Sequence, residues 1–258
     1  MSHLRSSLPA LILRRLFASV GADYNYFRQQ ITLTQRHLEK QLRRIAEPIS
    51  IDWWSKPAIF DMDNKLQKYL NYSGGFFIEV GANNGFDQSN TYYLEKMKQW
   101  RGLLIEAIPK LYEQCVKERP QSQVVNYALV APDYPEKCVK MRHVGLMSMV
   151  SEVNPEREDR AIQDGQILEW GLNCYQIDVP ARTLTSILEE YGVTDIDFFS
   201  LDVEGFELQV LKGLDLTRYC PKYLLVETND KAPIDDYLKE YYQEIDQLTF
   251  HDYLYRRR

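Results

Sequence analysis

The chain has 258 residues, 45% hydrophobic and 26% charged, which suits a soluble globular protein with a sizeable core and excludes wholesale disorder. Its formal net charge of -6 provides no concentrated positive surface for phosphates, so nucleic acid is not an expected partner. Cys115, Cys138, Cys174 and Cys220 form no CxxC pair and have no histidine at metal-ligand spacing, so reduced thiols in a cytoplasmic protein are expected and zinc is not.

The chain opens with LPALILRRLFASV, where Arg14-Arg15 interrupt an apolar run too short for the ~20 residues that cross a bilayer. An amphipathic helix is expected there, packed on the domain or forming a homodimer through the N-terminal helices, with no stable membrane insertion. From about Asp23 to Glu47, Tyr26, Phe27, Ile31, Leu38, Leu42 and Ile45 recur at helical intervals until Pro48 stops the pattern. IDWWSKPAIF reads as a loop, with Trp53 and Trp54 packing in a core or interface, or walling a pocket. A helix from roughly Asp63 to Leu70 follows and ends at Ser73-Gly74-Gly75. Residues 1–74 are thus expected to form a helical extension and cap.

From residue 75 onward apolar runs alternate with helical patterns. FFIEV, GLLIEA and QVVNYALV read as strands, separated by helices near Ser89 to Lys98 and Lys110 to Arg119. The alternation resumes with a helix at Thr185 to Tyr191, strand DFFSLDV, helix FELQVLKGL and strand KYLLVET, and a Tyr-rich tail supplies a last helix and strand. Continuous apolar strands between helices predict a doubly wound, mostly parallel α/β sheet covered on both faces. Residues from about 131 to 182 break the pattern, with KCVKMRHV and YQIDVPARTL flanking a polar stretch from about Ser151 to Asn173. This segment reads as an insertion between the third and fourth core strands, over the ligand-binding edge.

Ligands of open parallel sheets bind beyond the carboxyl ends of the strands, where the strand order reverses. Glu79, Gly81, Ala82, Asn83 and Gly85 follow the first strand, Glu106 ends the second, Asn126 lies in the third, and Asp202 and Glu204 end the fourth. EVGANNG lacks the GxGxxG of a nicotinamide site and the GxxxxGK[ST] of a nucleotide loop. Its E-x-G-x-N-x-G spacing suits S-adenosylmethionine: the glycines let the backbone approach the amino-acid end, and Glu79 faces either the ammonium or the loop's own amides. Glu106, one βα unit on, is placed to accept both ribose hydroxyl protons. Asn126 is a candidate for the adenine neighbourhood or for pairing with loop backbone.

EVGANNG, LLIEAIP, NYAL, LDVEGFELQVLKG and LLVET resemble the FkbM family of S-adenosylmethionine-dependent methyltransferases, over about Gly75 to Thr228. The resemblance implies a class I, Rossmann-like methyltransferase fold and O-methylation of a hydroxyl on a sugar, or on a polyketide- or peptide-like natural product. It implies that Glu79, Gly81, Asn83 and Gly85 form the cofactor loop, that Glu106 is the ribose acid, and that Asp202, Glu204, Gly205 and Glu207 are the signature. Many members carry lysine where this chain has Ser200, so no role of that lysine transfers.

Methyl transfer to an aliphatic hydroxyl requires uptake of the hydroxyl proton, so a base is expected near the acceptor. Asp202 is the first candidate, as base, substrate ligand or cofactor contact, followed by Glu204, by His143 and Ser148 at the start of the insertion, and by Glu227 at the end of LLVE. Each has a bland alternative: turn or strand-end capping for the acids, a satisfied or solvent-facing ring for His143. Asp202 with Glu204 or Glu227 offers oxygen ligands to a divalent metal, but no recognisable metal loop accompanies them, so none is predicted. The competing reading is a binding or scaffold protein that keeps the fold without turnover.

Overall fold

The computed structural model describes residues 38–143, 149–150 and 175–258. The amphipathic N-terminal helix, most of the Asp23 to Glu47 helix, Ser148, the Ser151 to Asn173 stretch and Cys174 lie outside the described residues. The chain divides into two compact units, Met1–Ser55 and Lys56–Arg258.

In the first unit, residues 38–46 are helical and a single 3₁₀ turn, Glu47–Ile49, follows. Pro48 sits in that turn, and Ser50 adopts a left-handed conformation with φ 61° that ends it. The Ser55 hydroxyl donates to Glu47 Oε1 at 2.9 Å, and Trp53 and Trp54 meet edge to face, ring centroids 5.9 Å apart.

The second unit opens with a short helix, α1 (Met62–Leu66), then β1 (Phe76–Val80), α2 (Tyr92–Lys98), β2 (Arg101–Ile105), α3 (Pro109–Glu118) and β3 (Gln123–Val125). Next come β4 (Ala128–Leu129), β5 (Cys138–His143), β6 (Met149–Val150), β7 (Tyr175–Arg182) and α4 (Leu184–Glu190). The unit closes with β8 (Phe198–Leu201), α5 (Glu207–Lys212), β9 (Tyr223–Glu227), α6 (Lys231–Leu238), β10 (Tyr242–Gln247) and β11 (Asp252–Arg257). The expected NYALV strand breaks at Asn126 and Tyr127: β3 stays in the main sheet while β4 pairs with β7. The tail supplies one helix and two strands, not one of each.

The main sheet runs in the order β10-β11-β9-β8-β1-β2-β3. Neighbours from β9 through β3 pair parallel, and β11 alone is reversed against its neighbours β9 and β10. The order turns back between β1 and β8, so the switch point lies where EVGANNG leaves β1. The insertion contributes three strands of a four-stranded sheet, β4-β7-β5-β6, which β4 joins from just before it, between the third and fourth parallel strands. No described helix is long and apolar enough to cross a membrane.

Alternation along each strand divides the core in two. Ile78, Val80, Leu103, Ile105, Phe199 and Leu201 pack on one face with residues of α4, α5 and α6. Phe77, Leu104, Phe198 and Leu225 pack on the other with α1, Leu94 of α2 and Cys115 of α3. Trp100 closes that second face: it is fully buried, its Nε1 donates to the Tyr72 carbonyl at 2.8 Å, and its ring lies 5.0 Å from that of Tyr72. Trp100→Ala should therefore cost about 3–5 kcal/mol of stability. Urea unfolding is the check, and a loss below about 1 kcal/mol would mean that this face does not depend on the indole.

Candidate active site

The loop leaving β1 is held by a buried ionic hub. Period-two alternation puts Glu79 on the same face as Phe77, and there it meets Arg119, the residue that closes α3. Arg119 is completely buried. Its Nε donates to Glu95 Oε2 at 2.8 Å, and one terminal nitrogen donates to the Gly85 carbonyl at 3.2 Å, Ser89 Oγ at 3.2 Å and Glu79 Oε2 at 3.4 Å. The other donates to Thr91 Oγ1 at 2.9 Å, and the guanidinium lies over the rings of Phe77 and Tyr92. Glu79 in turn accepts from Ser89 Oγ, Thr91 Oγ1 and the Asn90 amide, so its carboxylate is engaged by the loop. Arg119 also keeps the Glu95 carboxyl below its ordinary range against the opposing effect of burial.

Within the loop, Gly81 has φ +84°, and a Cβ there would overlap the Asp202 carbonyl oxygen. Gly85, φ +82°, faces the other way, onto Cys115 Sγ and Arg119 Cγ, and serves loop packing on α3. Asn84 Oδ1 accepts from the Phe86 and Asp87 amides, turning the chain back toward β1. The Asn83 amide donates to Glu106 Oε2 at 2.7 Å and the Ile108 amide to Oε1 at 2.8 Å, so Glu106 ties the ends of β1 and β2 together. Burial pushes its carboxyl up to about 7, although these amides favour the ionised form.

These strand ends surround a cleft of about 1010 Å³, its open mouth included. Glu79, Gly81, Ala82, Asn83, Glu106, Asp202 and Glu204 all line it. Gly85, Asn126, His143 and Glu227 do not. Asn126 lies between β3 and β4, where its amide donates to the Glu106 and Ala107 carbonyls at 2.8 Å each. It therefore has the second of its two expected roles, pairing with backbone. His143, at the end of β5, is buried with its ring 5.0 Å from that of Tyr175. Burial, aided by Lys110, holds its pKa below the ordinary value, and the structure does not bring it to the cleft. Glu227 stands behind Asp202, within hydrogen-bonding reach of it.

The structure adds lining residues that strand-end reasoning passed over: Gln88 from the loop, Ile108, Tyr127, Met141, Val150 and Phe206. Most are apolar; Ile108, Tyr127 and Phe206 follow strand ends within a few residues, whereas Met141 and Val150 lie in strands of the insertion. Ser200, at the lysine position, lines the cleft and accepts from the Asn90 side chain at 3.1 Å. Along the carboxyl edge, burial and the neighbouring Glu227 and Glu204 push the Asp202 carboxyl well above its ordinary range. Glu227 is pushed up to about 7 by burial and by Asp252. His251 and Asp252 complete this edge, and Glu227, His251 and Asp252 form a group of possible metal ligands. In the sequence the last two lie in the Tyr-rich tail, outside any motif.

A parallel strand order that reverses at a glycine turn, with a cleft beyond the strand ends, is the ligand-binding architecture of a doubly wound α/β sheet. The family model described as the methyltransferase FkbM domain matches residues 79–257, and the chain belongs to that family. No curated protein matches it. Among solved structures, it is similar to a SAM-dependent methyltransferase from Aquifex aeolicus, 12% identical, over 84% of this chain and 97% of that one, with a TM-score of 0.39. A TehB-like SAM-dependent methyltransferase from Corynebacterium glutamicum is 9% identical over 76% of this chain and 88% of that one, TM-score 0.39. The N-terminal domain of human METTL16 in complex with SAH is 13% identical over 75% of this chain and 65% of that one, TM-score 0.38.

Removing the cation from the hub leaves buried carboxylates unbalanced. Arg119→Met should cost about 3–5 kcal/mol, and Arg119→Lys should recover little, because one ammonium cannot reach Glu95, Thr91 and Gly85 together. Thermal unfolding reads both variants, and near-parental stability in either would show that the loop is held by other means.

Proposed function

We propose that this methyltransferase acts on a hydroxyl of a small molecule: a sugar or glycoside, or a polyketide- or peptide-like natural product. The observation that carries the reading is that Asp202 and Glu204 open on the same cleft as the EVGANNG loop and Glu106. One wall suits the cofactor and the next offers carboxylates to hydroxyl donors. A mouth lined by acids in a chain of net charge -6 disfavours nucleic acid as acceptor.

The residues present fit the cofactor. Gly81 has no room for a side chain, and Glu106 keeps free lone pairs beyond the two amides it accepts from. In this reading Gly81, Ala82 and Asn83 hold the amino-acid end, Glu106 binds the ribose hydroxyls, and Ile108, Tyr127 and Phe206 supply apolar surface for the base. Gly85 and Glu79 act through the loop, Glu79 by fixing Ser89, Asn90 and Thr91. S-adenosylmethionine, when bound, supplies an electrophilic methyl group on a sulfonium. Asp202 orients the acceptor hydroxyl and takes its proton, Glu227 holds Asp202 from behind, and Glu204 binds a neighbouring hydroxyl.

Two measurements test this assignment. Ribose binding needs an ionised Glu106, so affinity for S-adenosylhomocysteine should rise about tenfold between pH 6 and pH 8, as a carboxyl held near 7 loses its proton. In Glu106→Gln the affinity should be lower and the pH dependence flat. A flat profile in the parent would remove Glu106 from the ribose. Asp202→Asn should lower methyl transfer by roughly 10²–10⁴-fold while leaving S-adenosylhomocysteine affinity within about threefold. The assay is mass spectrometry of glycosides, polyols, amines and RNA incubated with protein and cofactor, and methylation confined to amines or RNA would overturn the hydroxyl reading.

A further inference from the structure

The reversed strand β11 brings a second set of side chains to the carboxyl edge. Asp252, its first residue, pairs directly with Glu227, the last residue of β9, and His251 precedes it. His251 Nε2 lies 3.4 Å from Glu227 Oε1 and 3.5 Å from Asp252 Oδ2, and donor atoms of all three residues fall within 4.8 Å of one another. Nε2 is shut off from solvent and makes no hydrogen bond. A buried ring nitrogen is costly without a partner, and both carboxylate oxygens stand beyond good hydrogen-bonding distance. The same separations suit donors sharing one ion: metal distances of 2.0–2.2 Å place neighbouring ligands about 3.0–3.5 Å apart.

The surroundings hold these donors in place. The Thr249 hydroxyl donates to Asp252 Oδ2 and accepts from the amides of His251 and Asp252, while the Thr228 amide donates to the His251 carbonyl at 2.8 Å. Asp202 supports Glu227. On the outer side the Phe250 ring lies 3.8 Å from the imidazole and the Phe60 ring 6.1 Å from it, both edge on, which supplies apolar cover.

We propose that Glu227, His251 and Asp252 bind one divalent transition-metal cation at the carboxyl edge of the sheet. One imidazole nitrogen with two carboxylates suits Mn²⁺ or Zn²⁺ better than Ca²⁺, which takes oxygen ligands throughout. Three protein ligands leave coordination positions open. None of the three ligands lines the cleft, whereas Asp202 does and contacts Glu227, so, resting on the hydroxyl-transfer reading, the cation would act on the acceptor through Asp202, by holding Glu227 ionised and fixed behind it.

The test is titration of Mn²⁺ into the full chain with S-adenosylhomocysteine present, followed by loss of the free-ion paramagnetic resonance signal and by competition with Zn²⁺. One ion per chain is expected, with affinity at least about tenfold weaker in Glu227→Gln and His251→Ala, while both variants still bind S-adenosylhomocysteine. In the parent protein, Mn²⁺ should selectively broaden the imidazole resonances of His251, a readout that does not depend on how the variants fold. Absence of saturable uptake, unchanged affinity in variants that bind S-adenosylhomocysteine, or unbroadened His251 resonances would each overturn the site. No uptake by a protein that methylates hydroxyls sinks the cation and spares the proposed reaction. Uptake by a protein that methylates no hydroxyl does the reverse.

Discussion

One buried guanidinium organises the cofactor side of this protein. Arg119 reaches from the end of α3 to both acids of its hub, to the Gly85 carbonyl and to the Ser89 and Thr91 hydroxyls. A fully buried charge is tolerated only when it is paired and hydrogen-bonded, and here nearly every donor of the planar fork has an acceptor. The thirteen residues from Glu79 to Thr91, the end of β1 and the loop that follows, are therefore fixed to a helix that is remote from them in sequence. The cleft inherits its shape from that attachment, because Gly81 and Asn83 can approach Asp202 and Glu106 only while the far side of the loop is held.

This division of labour explains the roles of the acids. Glu79 and Glu106 follow adjacent parallel strands, yet Glu79 lies within its strand on the face shared with Phe77, whereas Glu106 lies one residue past β2 and lines the sheet's end. The first therefore serves the loop's interior and the second serves its rim. Beyond the switch point the environment changes: Asp202, Glu227 and Asp252 lie close together with no arginine among their hydrogen-bond partners in the described residues, and burial raises all three carboxyls, with acidic neighbours adding to it at Asp202 and Glu227.

Much of this was legible in the sequence. Apolar runs such as FFIEV and YLLVE, each flanked by turn residues, located the parallel strands, and the glycines of EVGANNG located the switch point. Burial on both faces writes itself into consecutive residues, so those elements could be read locally. Arg119 could not, since a basic residue at a helix end ordinarily reads as a favourable surface charge. Asn126 reads as part of a strand because the residues around it in QVVNYALV are mostly apolar, and nothing local marks where the chain leaves one sheet for another. His251 and Asp252 were missed for a related reason. Their position follows from the register of β11 against β9, a long-range pairing that no short window contains.

The same pairing bears on how the protein is made. β10 and β11 form a hairpin that docks by its second strand, so β11 ends between β10 and β9 instead of at the sheet's margin. During synthesis the parallel strands and their helices can assemble first, since each unit contacts neighbours already emerged from the ribosome. The hairpin follows β9 along the chain, and it alone carries His251 and Asp252 to Glu227. A nascent chain stalled before that hairpin would already possess its glycine turn and Arg119 hub while lacking one wall of its acidic edge.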